Sequence, residues 1–406
     1  MVGGIAGTDT TRRATICGGG NAAHVLVPLV AQAGWQVQIY APFADEASRL
    51  RERMAEGGLQ ARFAGGSTLS GQARCISAAA ADVIPGSDLI LLALPAYAHG
   101  STLEAIVPYL EAGATIVALP ARSGFDLQAR TMFASETLPV TVAGLQTLPW
   151  ACRITDYGRE VSILGTKARI DLAAIPGTAT TTVAKTLRSL LDVNLQPIGS
   201  FLALTLANTG QLIHPGIMYG LCHGCEDETY GEGETPLFYQ GVDDFTAGIL
   251  QALSGEVQAV ASRLGKQLPD FNPEEVMPLY EWLLAAYPDD IEDAGSLQQA
   301  FNTNRAYAGL RLPARAVGNG RFAVDFRARY LSEDVPCGLV VVRGIAELAG
   351  VSTPAIDAVI RWAQERLGRC YLDGQSICGA DLGDSRAPQA YGIAHLSQLC
   401  LDRGIS

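Results

Sequence analysis

The chain has 406 residues, 48% hydrophobic and 17% charged, enough for a substantial core and for two domains. Its net charge of −12, from 29 basic against 41 acidic residues, repels phosphate backbones and anionic lipid, and no basic tract overrides it, which argues against nucleic-acid binding. No apolar run has the length of a membrane span, residues 1–13 carry no signal-like core, and an odd count of nine cysteines suits a reducing compartment. The expectation is a soluble, cytoplasmic protein.

In chain order, the first informative stretch is Ala14-Thr15-Ile16-Cys17-Gly18-Gly19-Gly20-Asn21-Ala22-Ala23-His24. An apolar, β-prone run enters three glycines and an alanine-rich segment leaves them, which is the order strand, tight turn, helix. The spacing reads G-x-G-x-x-A. In a dinucleotide-binding turn Gly18 permits the sharp turn, Gly20 lets the backbone approach a pyrophosphate, and Ala23 allows close helix–strand packing. The helix opened by Asn21 would aim its N–H groups and positive dipole end at the phosphates. A second strand over residues 35–40 completes a βαβ unit of close to thirty residues. Pro28 lies inside the predicted helix and should kink it.

The stretch after Tyr40 bears on the cofactor. An enzyme selecting a 2′-phosphate needs Arg or Lys just past the second strand, and none occurs between Tyr40 and Ser48. Asp45 can instead accept from ribose hydroxyls, so NAD is expected. Residues 89–95 and 114–120 read as fully buried parallel strands, with Pro95 turning the chain over the cofactor side. A helix is expected over 102–110, and strands over 140–143 and 161–164. Alternating strands and helices imply a doubly wound parallel α/β sheet of Rossmann type over residues 1–198. From Phe201 the pattern becomes helical, with helices expected over 202–211, 247–264, 273–286, 338–349 and 354–367. The last should open on Ser352-Thr353-Pro354 as cap and first-turn proline and stop at Gly368. An all-α domain over 199–406 follows.

Several short blocks taken together resemble the octopine-type opine dehydrogenases. They are the glycine turn from Cys17 to His24, Phe43-Ala44-Asp45-Glu46-Ala47, Leu148-Pro149-Trp150-Ala151-Cys152-Arg153-Ile154, and Gly165-Thr166-Lys167. They continue with His214-Pro215, Leu237-Phe238-Tyr239-Gln240-Gly241, Arg329-Tyr330-Leu331-Ser332-Glu333-Asp334, and Pro388-Gln389-Ala390-Tyr391-Gly392. The resemblance implies an NAD domain, a helical opine domain and a cleft between them. It implies condensation of an amino acid with a 2-oxo acid, usually pyruvate, to an imine that NADH reduces. It also implies small-molecule partners and, as in many relatives, a monomer.

The candidate residues follow. His214 precedes Pro215, which biases its backbone away from α geometry and suggests a helix break. Alone it reads as a hydrogen-bonded core histidine; the resemblance makes it the acid/base, a role imidazole suits near neutral pH. Asp334 reads as a helix cap from Ser332-Glu333-Asp334 before Pro336, and the resemblance makes it the partner of His214. By the same resemblance Arg329 reaches the pyrophosphate from the second domain, although Arg321 and Arg327 lie close in sequence. The expected cofactor contacts are therefore Gly18, Gly20, Asn21, Ala23, Phe43, Asp45, Pro95 and Arg329. The expected substrate contacts are Arg122, Gln146, Trp150, Cys152 and Trp282, though packing explains the last three equally well. Arg122 follows Pro120 at the C-terminal edge of the sheet, where ligands of open α/β sheets bind.

Two positions depart from the family pattern, which has glutamine at Arg122 and glutamate at Gln146. Both changes disfavour a cationic side chain, so a small neutral amino acid or taurine is expected over arginine. Cys222-His223-Gly224-Cys225 is a single C-x-x-C without a second pair, and no metal is expected. The alternatives are a hydroxy-acid or sugar-phosphate dehydrogenase of the same two-domain plan, or a non-catalytic NAD-binding sensor.

Overall fold

The computed structural model describes residues 11–43, 45–134 and 138–399. The N-terminal stretch up to Thr10, read above as lacking a signal core, and Ala44 lie outside the described residues.

Within them an eight-stranded sheet organises the first half. From one edge to the other its strands are Leu195–Pro197, Ile170–Ile175, Thr141–Leu145, Thr115–Ala118, Leu89–Leu92, Arg13–Cys17, Gln36–Tyr40 and Cys75–Ser77. All neighbours pair in parallel except Ile170–Ile175, which runs antiparallel to Thr141–Leu145. The order reverses between Arg13–Cys17 and Leu89–Leu92. A crevice opens at such a switch point, at the carboxyl ends of the strands. Alternation along a buried strand feeds two cores: Ile90 and Leu92 belong to one, Leu89 and Leu91 to the other. The second core, around Ile16, Val25 and Leu91, is closed by the helix Asn21–Gln32. The first is shared with the helical half, running from Ile90 and Ile116 through Phe201 and Leu253 to Val341.

Pro28 does not end its helix, which continues through it to Gln32. The strand expected over 161–164 is present as Glu160–Thr166, but it belongs to a separate four-stranded sheet. There it pairs parallel with Leu59–Phe63 and antiparallel with Trp150–Asp156. Trp150, Cys152, Val161 and Ile163 from this sheet pack into the core beside the glycine-turn helix.

Polar contacts pin the two pieces together. Asn21 accepts from the Ile154 N–H at 2.8 Å, and His24 Nε2 accepts from the Gly158 N–H at 2.8 Å. Since Nε2 accepts, Nδ1 must be the protonated nitrogen, and it lies 3.0 Å from the Gly20 carbonyl. Burial lowers His24 to about 4, against the upward pull of the Gly20 bond.

The second half is helical, as expected, with three elaborations. The long helix Asp244–Gln267 is capped by Asp243, whose carboxylate accepts from the Thr246 N–H at 2.8 Å. The helix Pro354–Leu367 ends at Gly368 in the left-handed region, as the sequence predicts. Thr353, however, makes no side-chain cap. Glu256 of the long helix instead accepts from the Ala355 and Ile356 N–H groups at 2.7 and 2.9 Å. A carboxylate brought to a helix N-terminus by packing answers the dipole better than a hydroxyl. The helical half also carries a small antiparallel sheet, Thr229–Tyr230, Ala314–Gly318 and Arg321–Val324, so it is not purely helical. Among the described residues no helix is long and apolar enough to cross a membrane, and the eight described cysteines are free.

The neutral His24 gives the fold a pH dependence. Unfolded histidine titrates near 6.5 while the folded ring titrates near 4, so unfolding takes up a proton between those values and stability is lost as the pH is lowered. Between pH 7 and pH 5 His24 should cost about 2 kcal/mol of stability. The equally buried His99 shifts in the same direction. Urea unfolding at the two pH values should show His24→Gln losing about that much of the wild-type difference. An unchanged difference in the variant would contradict the neutral assignment.

Candidate active site

The crevice at the switch point begins with the glycine turn. Gly18 adopts φ +112°, a conformation L side chains rarely take, and donates to the Tyr40 carbonyl at 2.8 Å. A Cβ there would lie 2.7 Å from Leu94 and 2.9 Å from the Ala93 carbonyl, so this turn and the loop before Pro95 pack directly together. Gly20 stands at the helix N-cap with open space where a Cβ would be, and no side chain caps the helix. Its first-turn N–H groups are available to an anion, and the buried Ala23 keeps the helix close to the sheet. Phe43 is 44% exposed and Tyr97 is 70% exposed on the loops that follow two of the strands. This cradle fits a dinucleotide.

The acidic residue beside the turn is Glu46 rather than Asp45. Asp45 is exposed on the surface, 3.4 Å from Arg49, whereas a Cβ on Gly19 would meet the Glu46 carboxylate at 2.5 Å. Burial raises Glu46, against the hydrogen bond from Tyr157 that lowers it. Arg49, one residue past the window read for NADP selection, lies over the Tyr157 ring at 4.4 Å and is paired with Asp45.

His214 lies within the continuous helix Gly210–Cys222, so the break expected at His214-Pro215 does not occur. The chain breaks earlier, between Phe201–Leu206 and Gly210, and buried contacts of Pro215, Gly216, Ile217 and Met218 override the pre-proline preference. The imidazole stacks on Tyr330, with centroids 4.3 Å apart, and its Nδ1 lies 2.7 Å from Asp334 Oδ2. A carboxylate only accepts, so Nδ1 carries the proton and Nε2 is the unprotonated nitrogen. Nε2 is 3.0 Å from the Tyr239 hydroxyl. Asp334 occupies an N-cap position but makes no cap bond, so its carboxylate is committed to His214 and Arg122.

Arg122 is not a free cation in the cleft. Its Nε donates to Glu333 Oε1 at 2.9 Å, and its Nη1 lies 2.8 Å from Asp334 Oδ1. Both acids are almost fully buried, at 2% and 1% exposure. Burial alone would lower the guanidinium pKa, but Asp334 and Glu333 together outweigh it and the net shift is upward. Arg122 adopts φ +58°, which for a non-glycine residue costs about 1–3 kcal/mol and persists only where the surroundings hold it. Here they do. Ser123 N–H donates to the Cys337 carbonyl at 3.0 Å, and its hydroxyl donates to the Thr205 carbonyl at 2.8 Å. Gly210 leaves the room, since a Cβ there would meet Arg122 Nη1 at 2.6 Å.

Glu333 also accepts from the Ala96 N–H at 3.4 Å, one residue past Pro95, and lies 3.7 Å from Arg329 Nη1. Of the three nearby arginines, Arg321 is held by Thr229 in the small sheet, whereas Arg329 is 63% exposed beside the acids.

The expected substrate residues divide. Gln146 and Trp282 meet in one crevice with Arg169, Asp171 and Met277, and it has about 0 Å³ open to a water-sized group. Asp171 is buried, which raises it, and it pairs with Arg169 at 3.2 Å. Trp150 and Cys152 are buried in the apolar core beside the glycine-turn helix, where burial pushes the Cys152 thiol up to about 11. Cys222 is buried and its thiol is pushed up to about 12, first by burial; no group of three or more potential metal ligands occurs among the described residues. Sequence reasoning missed Glu46, Glu333, Tyr239 and Asp171. The first three lie in the quoted blocks, so the signal was present without a role, whereas nothing around Asp171 marked it.

Comparison with known proteins accounts for this arrangement. Residues 197–367 match the family described as NAD/NADP octopine/nopaline dehydrogenase, alpha-helical domain. An opine dehydrogenase of Haliotis discus hannai is 36% identical over 400 residues, covering 95% of this chain and 97% of its own. An octopine dehydrogenase structure with NADH and L-arginine superposes with a TM-score of 0.87 at 36% identity, covering 96% of this chain and 98% of its own. Another, with NADH and pyruvate, superposes with a TM-score of 0.86 at 34% identity and the same coverage. The chain belongs to the octopine-type opine dehydrogenases, the NAD(P)-dependent oxidoreductases acting on CH–NH donors.

Proposed function

We propose that the chain condenses an amino acid with pyruvate and reduces the product with NADH, giving an N-(1-carboxyethyl) amino acid, as a cytoplasmic monomer. The observation that carries the reading is the 2.7 Å hydrogen bond between His214 Nδ1 and Asp334. It stands beside Arg122 and Ala96, on loops at the carboxyl ends of the sheet strands, where a ligand of this fold binds. A sensor that only binds a dinucleotide needs no such pair.

With Nδ1 committed to Asp334, Nε2 is the atom that exchanges protons. Neutral His214 removes a proton from the ammonium of the amino acid, freeing the lone pair that attacks the pyruvate carbonyl carbon. The imidazolium returns that proton to the carbinolamine hydroxyl, which leaves as water as the C=N bond forms. NADH supplies the hydride that reduces this bond. Gly18, Gly20, Asn21 and Ala23 would hold the pyrophosphate, Phe43 and Pro95 would flank the cofactor, Glu46 would accept from a ribose, and Arg329 would reach the phosphates from the helical half. Arg49, held by Asp45 and Tyr157, supports NADH over NADPH.

The substrate preference stands on different ground than the sequence suggested. Arg122 adds no free positive charge, because Glu333 and Asp334 absorb it. What argues against a cationic side chain is the crevice of Gln146 and Trp282, whose one carboxylate, Asp171, is already matched by Arg169. A guanidinium buried there would find no free counter-charge. We therefore favour alanine, glycine, β-alanine or taurine over arginine.

Replacing His214 with Ala should lower turnover by about 10²–10⁴-fold with NADH affinity nearly unchanged. Asp334→Asn should cost less, since Asp334 acts through the ring. Steady-state kinetics with calorimetric NADH titration reads both effects, and a His214→Ala enzyme above half of wild-type activity would remove the residue from the mechanism.

NADH oxidation should require pyruvate and an amino acid together. Across a panel of arginine, lysine, alanine, glycine, β-alanine and taurine, the compact substrates should be faster by about tenfold or more. Turnover with pyruvate alone would indicate a hydroxy-acid dehydrogenase, and arginine as the best substrate would overturn the preference. Comparable efficiency with NADPH would overturn the cofactor choice.

A further inference from the structure

The Leu237–Gly241 block contributes the partner on Nε2 of His214. Tyr239 is 7% exposed, and its hydroxyl lies 3.0 Å from Nε2. The segment is held rigidly. Phe238 N–H donates to the Leu310 carbonyl at 2.7 Å, and the Tyr239 ring stacks on Tyr307 with centroids 3.9 Å apart. On the other side His214 is fixed by Asp334 at Nδ1 and by its stack on Tyr330. The imidazole is therefore fixed along two directions in its plane and one across it.

We propose that Tyr239 is a positioning residue for the reaction, its hydroxyl holding Nε2 of His214 in place before and after each proton transfer and giving way while Nε2 exchanges its proton with the substrate. A hydroxyl is both donor and acceptor. Facing neutral imidazole, Tyr239 donates to the bare Nε2; facing imidazolium, its hydrogen rotates away and the oxygen accepts from Nε2–H. A group that only donates or only accepts would favour one state and oppose the proton exchange. Burial above all, with Tyr330 and Tyr287 beside it, pushes the phenol well above its ordinary range, so Tyr239 remains a neutral hydroxyl and does not compete as a base. The inference rests on His214 being the acid/base.

Tyr239→Phe keeps the ring, its stack on Tyr307 and its packing, and removes only the hydroxyl. It should lower kcat about tenfold, the effect of one orienting hydrogen bond, while the KM for NADH stays within about twofold. Without substrates, diethyl pyrocarbonate should acylate His214 about tenfold faster in Tyr239→Phe, because Nε2 has lost its partner. The modification is read by mass spectrometry of the peptide that contains His214. Tyr307→Phe, which alters the neighbouring ring without touching His214, should match wild type in both readouts. Wild-type kcat and acylation in Tyr239→Phe would overturn the proposal, as would equal effects in Tyr307→Phe, which would reduce the cluster to packing. If His214→Ala were active, the acid/base reading would fail, whereas an inactive His214→Ala beside a normal Tyr239→Phe would sink this inference alone.

Discussion

A guanidinium between two adjacent buried carboxylates is the constraint on which the catalytic half of this structure depends. Glu333 and Asp334 follow one another in the chain and are both withdrawn from water. Two like charges so placed are expensive to bury, and Arg122 supplies the opposite charge from the sheet. Because Arg122 leaves the sheet at the carboxyl end of Thr115–Ala118 and the acids lie in the helical half, the ion pairs also join the two halves. Arg386 reinforces the joint, donating to the Ala121 carbonyl at 3.0 Å and the Ala96 carbonyl at 2.7 Å. The left-handed backbone of Arg122 is strain accepted for that reach.

The consequence for chemistry is directional. With Oδ1 beside Arg122, Asp334 offers Oδ2 to His214, which fixes the tautomer with the proton on Nδ1. The glycine-turn cradle and this dyad are neighbours through Ala96 and Glu333. The crevice of Gln146 and Trp282 lies apart from the dyad's own contacts.

Much of this was legible in the sequence because local rules decide it. The Gly18 turn, the buried strand from Leu89, and the helix stop at Gly368 each depend on a few consecutive residues, and each was readable. Features set by distant partners were not. Thr353 looked like a cap until Glu256, 99 residues away from the amide it meets, took the position. The strand at Val161 was readable, but its membership of a second sheet depends on Leu59–Phe63. His214-Pro215 signalled a break that burial of the following turn overrides. At the site, the resemblance supplied His214 and Asp334. The environment of Arg122 was invisible, because an arginine at a sheet edge reads as a ligand contact unless its counter-ions are known to lie 211 residues away. Asp171 sits inside a strand two residues after Arg169, and it meets Gln146 and Trp282 only in three dimensions.

The orientation of the His214 ring is the central claim, and proton NMR of the ligand-free protein tests it most directly. The structure places a proton on Nδ1, shared with a buried carboxylate at 2.7 Å, so a strongly downfield Nδ1–H signal is predicted that disappears in Asp334→Asn. A ring protonated on Nε2 instead, or a downfield signal unchanged by Asp334→Asn, would contradict the account.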